Sequence, residues 1–322
     1  MTRNWCLAMM AAALGVVAVP VVHAQKYPDR PIRLVVPYAP GGSVDIIGRL
    51  LAVKMSEGLG QQVVVENKGG GGATIGTALV AKAPADGYTM LLADIAFGAN
   101  PALMSKLPYD SAKEFAPVAL VALLPSILVI DPTLPAGSAK ELVALAKLSP
   151  GKLNYSSAGV GSMNFLAGEL FKAQTGIDIV HVPYQSGAQA IAAILGGQTQ
   201  MVFTTIPPVL QHVKAGKVKA LALSGSKRQA SLPGVTTFAE AGFAEFDVSL
   251  WQGVLVPAGT PPDIIVRLNS ELNRVLAAPD VRARIAELGA DPAGGTPEQF
   301  AAFISGEMAR WGKLIKPEMR LN

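Results

Sequence analysis

Leu34-Val35-Val36-Pro37-Tyr38-Ala39-Pro40-Gly41-Gly42-Ser43-Val44-Asp45 joins two kinds of structure within twelve residues. A short β-branched strand stops at Pro37, the chain loops through paired glycines, and a Ser/Asp start signal opens an amphipathic run. A strand that feeds a helix in this way aims unpaired backbone N–H groups, plus a hydroxyl, at one point. Such a place suits a small anion without any lysine or arginine. A second loop of similar chemistry, Tyr155-Ser156-Ser157-Ala158-Gly159-Val160-Gly161-Ser162-Met163-Asn164, opens another helix over a hundred residues later. The pair implies a cleft that grips a carboxylate from both sides.

Outward from these loops, short apolar β-runs alternate with helical periods. Strands are expected at 32–36, 62–66 and 89–93, with helices at 45–58 and 75–83 and a glycine-rich turn at 69–72. The pattern restarts with strands at 127–130, 153–156, 179–183, 201–204 and 220–223, separated by helices at 138–148, 164–174, 188–195 and 209–215. A strand at 251–256 and helices at 262–278, 279–288 and 297–315 complete the chain. This is an α/β chain of βαβ units, each set built on a mainly parallel sheet. The last helices lack strands of their own and are expected to pack back on the first set. The chain then crosses twice between the two sets, near 123–126 and 248–252, through strand-like hinges.

Residues 1–24 read as a signal peptide: Arg3 precedes an apolar run of about 16 residues, and small residues end it, which places cleavage after Ala24. The run is short for a membrane span, which needs about 20 residues. Cys6, the only cysteine, lies inside this segment, so the mature chain has no disulfide and no cysteine metal ligand. Removing residues 1–24 takes away one arginine and leaves 26 basic against 23 acidic residues, scattered without a basic run. Nucleic-acid binding is excluded on that pattern. An apolar fraction of 50% with only 16% charged residues describes a well-buried globular chain.

Several motifs occur in a fixed order along the chain: 37–45, Val65-Glu66-Asn67, Ala85-Asp86-Gly87-Tyr88-Thr89, Leu107-Pro108-Tyr109-Asp110, Phe115-Ala116-Pro117-Val118, His181-Val182-Pro183-Tyr184, Leu195-Gly196-Gly197-Gln198, Pro257-Ala258-Gly259-Thr260-Pro261 and Trp311-Gly312-Lys313. With them the sequence resembles, over essentially the whole mature chain, the Bug-type extracytoplasmic receptors of tripartite tricarboxylate transporters. The resemblance implies a type II periplasmic binding protein fold, with residues 25–124 and 251–322 as one lobe and 125–250 as the other. It implies a monomeric periplasmic receptor, without cofactor, that takes a small organic carboxylate from the cleft to membrane permease subunits. It also implicates Tyr38, Gly41, Gly42, Ser43 and Asp45 from one lobe, and Ser157, Ala158, Gly159, Gly161 and Ser162 from the other, with Tyr184 and Gly187 beside them. Ser43 and Ser157 are expected to donate through hydroxyls and Gly41, Gly42, Gly161 and Ser162 through backbone N–H, with Tyr38 and Tyr184 as walls.

Other features are weighed against plainer readings. Asp45 pointing at an anion would repel it, so its expected role is to order the loop. The glycines at 69–72 lack a P-loop lysine, and Gly159-Val160-Gly161 lacks the third glycine of a dinucleotide fingerprint. His181 and His212 lack acidic partners at metal-ligand spacing, and the Ser-x-x-Lys matches at 149–152 and 224–227 sit in turn-like sequence. An enzyme is not expected, and a secreted hydrolase stands as the minor alternative. A sensory receptor of the same fold is the other. Many relatives carry an acid within 197–200 and another where this chain has Thr204, whereas Asp94 stands where they often have a neutral polar residue. Those departures act in opposite directions on a cationic ligand group and leave the ligand class open.

Overall fold

The structure is a computed structural model that describes residues 27–225, 227–315 and 317–320. The expected signal peptide, with Cys6 and the cleavage point after Ala24, lies outside the described residues.

The chain opens with β1 (Ile32–Val36), α1 (Ser43–Leu59), β2 (Val63–Asn67), α2 (Thr74–Ala81), β3 (Thr89–Asp94) and α3 (Ile95–Leu103). β1 pairs in parallel with β2 and with β3, as helix-bridged crossovers require. Next comes β4 (Phe115–Ile130), a 16-residue strand. It is followed by α4 (Ala139–Leu148), β5 (Asn154–Ser157), α5 (Met163–Thr175), β6 (Val180–Pro183), α6 (Gly187–Leu195), β7 (Met201–Thr205), α7 (Pro207–Lys214) and β8 (Lys219–Leu223). The chain returns through β9 (Ser249–Pro257) and ends in α8 (Pro262–Ala277), α9 (Pro279–Glu287), β10 (Asp291–Gly294) and α10 (Pro297–Leu314).

The strands lie in the order β2-β1-β3-β9-β4-β7-β5-β6, with β8 and β10 also on β4. β4 changes partners along its length. Phe115 to Pro125 run against β9, and Ser126 to Ile130 run against β7 and, on the other edge, β8. Pro125 has no N–H to give a ladder and stands at this handover. The sheet is therefore mixed, not parallel throughout. Parallel pairing belongs to β1, β2 and β3 and to β5, β6 and β7, while β4 and β9 run antiparallel to their neighbours.

Three elements escape the sequence reading. The part of β4 before Ile127 contains Pro117 and Pro125, which argue against a strand. α3 holds Gly98 and Pro101 and is buried on nearly every side, so it shows no amphipathic period. β10 is a four-residue stretch of turn-like composition, Asp-Pro-Ala-Gly.

Alternation along β4 divides the core. Ile127 and Val129 point into a cluster with Ile191, Val202 and Val209, while Leu128 and Ile130 join the larger cluster on the opposite face. α10 docks on β9 through Trp251, which packs edge-on against Phe300 and Phe303. The indole N–H groups of Trp251 and Trp311 both donate to Glu307 Oε2, at 3.1 and 3.2 Å.

Candidate functional site

Where strands β1, β3, β5 and β7 end, helices begin, and their N-termini enclose a cavity of about 320 Å³. Crevices at the carboxyl ends of strands are where open α/β sheets bind ligands. Nine of the fourteen residues implicated in the sequence line it: Tyr38, Gly41, Gly42, Ser43 and Asp94 on one side, Ala158, Ser162, Gly187 and Thr204 on the other.

α1 begins with Gly42 at its N-cap and no side-chain cap, so Ser43 opens the helix instead of capping it, and it lines the cavity. Gly41 adopts φ of +93°, a left-handed conformation natural to glycine. In that turn the Gly41 N–H donates to Asp45 Oδ2 at 3.0 Å, so it is spent inside the loop and not offered to a ligand. Asp45 also accepts from Arg49 Nε at 3.1 Å, and its Oδ1 accepts from Asn67 Nδ2 at 2.9 Å. Burial raises the Asp45 carboxyl, but the hydrogen bonds from Arg49, Gly41 and Asn67 outweigh it and hold the group below its ordinary range. Asp45 is not among the cavity-lining residues.

The second loop differs from its expected geometry. Ser162 caps α5, accepting from the Phe165 N–H, while its hydroxyl and its N–H both donate to the Gly159 carbonyl. The side that faces the cavity is thus the first turn of α5, at Met163 and Asn164. The Asn164 amide donates to the Phe203 carbonyl and fastens α5 to β7.

Ser157 is fully buried and absent from the lining; its hydroxyl stands 2.6 Å from His181 Nε2 and accepts from the Gly159 N–H at 3.0 Å. Burial pulls the His181 imidazole down to about 4, so the ring beside the Ser157 hydroxyl is neutral. His181 stacks on Tyr155 at 5.0 Å. Gly159 and Gly161 also lie outside the lining.

Tyr184 does not wall the cavity. β6 is the last strand in the sheet, so the residue after it sits at the sheet edge, and the Tyr184 hydroxyl donates to Gln198 Oε1 at 3.2 Å beside a separate surface depression.

The sequence reading implicated Gly187 but did not count the helix it opens as a third convergent start. α6 starts at Gly187 behind Ser186, whose hydroxyl accepts from the Gln189 N–H, and Ser186, Gly187 and Ala188 all face the cavity. Ser156 Oγ donates to the Ala190 carbonyl at 2.8 Å and ties that helix to β5. The cap signal Ser186-Gly187 was available in the sequence. Pro207 and Pro208 bring the start of α7 to the wall without any N–H, and Ile46, Ile191, Leu250 and Leu288 make the remainder apolar.

Asp94 caps α3, its Oδ1 accepting from the Ala96 N–H at 3.0 Å. It is 3% exposed, and desolvation pushes its carboxyl up to about 7 against the opposing influence of the nearby Tyr38 hydroxyl and the Ala96 N–H. The buried Tyr38 hydroxyl is near enough for each group to perturb the other, yet it meets no hydrogen-bond geometry and stays without a partner.

Residues 47–319 match the model of the tripartite tricarboxylate transporter family receptor. The chain is 39% identical over 320 residues to protein BugT of Bordetella pertussis, covering 98% of this chain and 97% of that one. An R. palustris protein solved with adipate superposes with a TM-score of 0.85 at 34% identity, over 89% of this chain and 97% of that one. MatC from Rhodopseudomonas palustris, solved with bound malate, gives 0.85 at 33% identity, over 90% and 100%. The chain is a member of the tripartite tricarboxylate transporter receptor family, of the Bug type.

Proposed function

We propose that this protein is a periplasmic solute receptor that captures a small organic carboxylate in the cavity and delivers it to membrane permease subunits of a tripartite tricarboxylate transporter. The observation that carries this reading is the convergence of the α1, α5 and α6 N-termini on a cavity lined, among the described residues, by no lysine, arginine or histidine. Each helix N-terminus presents about half a positive charge. At about 4 Å and an effective dielectric near 20, each is worth roughly 2 kcal/mol to one carboxylate. Micromolar affinity requires about 8 kcal/mol in all, within reach of three such ends plus apolar contact.

Residues 25–124 with 251–322 form one lobe in this proposal, and 125–250 the other, with β4 and β9 as the crossings. The lobes close about the ligand by hinge motion. Two names among the solved relatives, adipate and malate, support a carboxylate as the captured class. The protein acts as a monomer, exported and cleaved after Ala24. A hydrolase reading is not favoured: Ser157, paired with the part-buried His181, is itself fully buried, and neither residue lines the cavity.

A thermal-shift panel of mono-, di- and tricarboxylates tests the reading. A true ligand at 100 times its dissociation constant stabilises by about 2.7 kcal/mol. A panel with no stabilising carboxylate would sink it.

A further inference from the structure

The cavity wall combines three kinds of surface. Backbone and hydroxyl donors come from the starts of α1, α5 and α6. Ile46, Ile191, Pro207, Pro208 and Leu250 are apolar, and among the described residues Asp94 is the one carboxylic acid that lines it. Only Asp94 Oδ1 is occupied, by the Ala96 N–H; Oδ2 takes no hydrogen bond from the described residues. The Tyr38 hydroxyl beside it is buried and equally unpartnered. Buried polar atoms without partners are costly, and a ligand that supplies a donor recovers that cost.

A second carboxylate has no such place. It would enter a desolvated cavity whose wall offers it no cationic side chain and one acid, and an unpaired buried charge is expensive. We propose that the ligand is a monocarboxylate with an apolar body and a hydrogen-bond-donating substituent that meets Asp94 Oδ2 and the Tyr38 hydroxyl, and that Asp94 excludes dicarboxylates. The inference rests on the carboxylate-receptor reading and narrows it: this chain parts from its adipate- and malate-bound relatives in ligand class.

Isothermal titration of the full mature protein with benzoate, 3- and 4-hydroxybenzoate, 3-aminobenzoate, isophthalate, adipate and malate tests it. At least one donor-bearing monocarboxylate should bind tenfold or more tighter than benzoate and than every dicarboxylate in the series. In Asp94→Asn, which keeps a cap acceptor for α3, the advantage over dicarboxylates should shrink at least tenfold. Tyr38→Phe should weaken the donor-bearing acid at least threefold more than it weakens benzoate. Preferential binding of isophthalate, adipate or malate by the wild type would overturn this inference and leave the carboxylate reading intact. If no acid of any kind bound, both would fall together.

Discussion

The carbonyl oxygen of Val160 lies so close over Gly72 that any side chain at position 72 would overlap it. The contact joins the glycine turn before α2 to the loop before α5, 88 residues further along the chain. Asn100 secures the same place, its Nδ2 donating to the Gly72 carbonyl at 2.8 Å. If closure of the cleft needs this approach, Gly72→Ala should weaken carboxylate binding by tenfold or more. Alanine at φ of +62° adds a conformational cost of about 1 kcal/mol to stability. Gly60→Ala is the control: φ is +70° and nothing lies within 4 Å, so it should lose only the conformational share of stability and keep its affinity. Titration calorimetry with chemical denaturation separates the two, and equal affinities would remove Gly72 from the closure.

Asp45 organises the first loop through three partners, and its variants should show how unevenly they count. Asp45→Ala leaves the Gly41 N–H and the Asn67 amide without their acceptor, a loss of about 2–3 kcal/mol. Arg49→Ala removes the half-exposed end of the ion pair and an exposed hydrogen bond to Asn67 Oδ1, and should cost about 1 kcal/mol. Denaturant midpoints measure both. Equal losses would mean that charge, and not the hydrogen-bonded turn, sets the loop.

Two buried groups give stability opposite pH slopes. His181, held down to about 4 by burial, leaves a proton to the unfolded chain alone between about 6.5 and 4, so folding weakens as pH falls through that window. Asp94, raised to about 7 from 3.8, binds a proton in the fold that the unfolded chain has lost, so its effect weakens folding as pH rises from about 4 to 7. The wild-type profile should be flattened by this opposition. Relative to it, Asp94→Asn should gain stability towards pH 7, by a few kcal/mol in order of magnitude, and His181→Asn should gain towards pH 4. Parallel profiles for all three proteins would contradict the assignment.

Glu307 receives two indole N–H groups and pairs with Arg310 at 3.2 Å while itself 9% exposed. Glu307→Ala should therefore cost about 2–4 kcal/mol, because it strands two buried donors. Glu307→Gln keeps an acceptor and should lose markedly less. Thermal unfolding followed by tryptophan fluorescence reads both the loss and the changed surroundings of Trp251 and Trp311.

Much of the fold is visible in the chain because its strands and helices keep their periods: β1 and β7, for example, are apolar runs bounded by turn residues. α3 and the part of β4 before Ile127 are not legible, since total burial erases the helical period of one and prolines disguise the other. At the site, the glycine–serine loops are readable as helix starts. Which N–H groups remain free is not, because Asp45 takes one and the Gly159 carbonyl takes another through tertiary geometry. Tyr184 misleads for a similar reason: only the sheet order shows that β6 is an edge.

The central claim is that uncharged donors at the starts of α1, α5 and α6 hold a carboxylate. A crystal structure with the most stabilising acid of the panel bound tests it most directly. The account predicts carboxylate oxygens about 3 Å from N–H or hydroxyl donors on at least two of those helix starts. A carboxylate paired with an arginine or lysine, or bound outside the cavity, would contradict it.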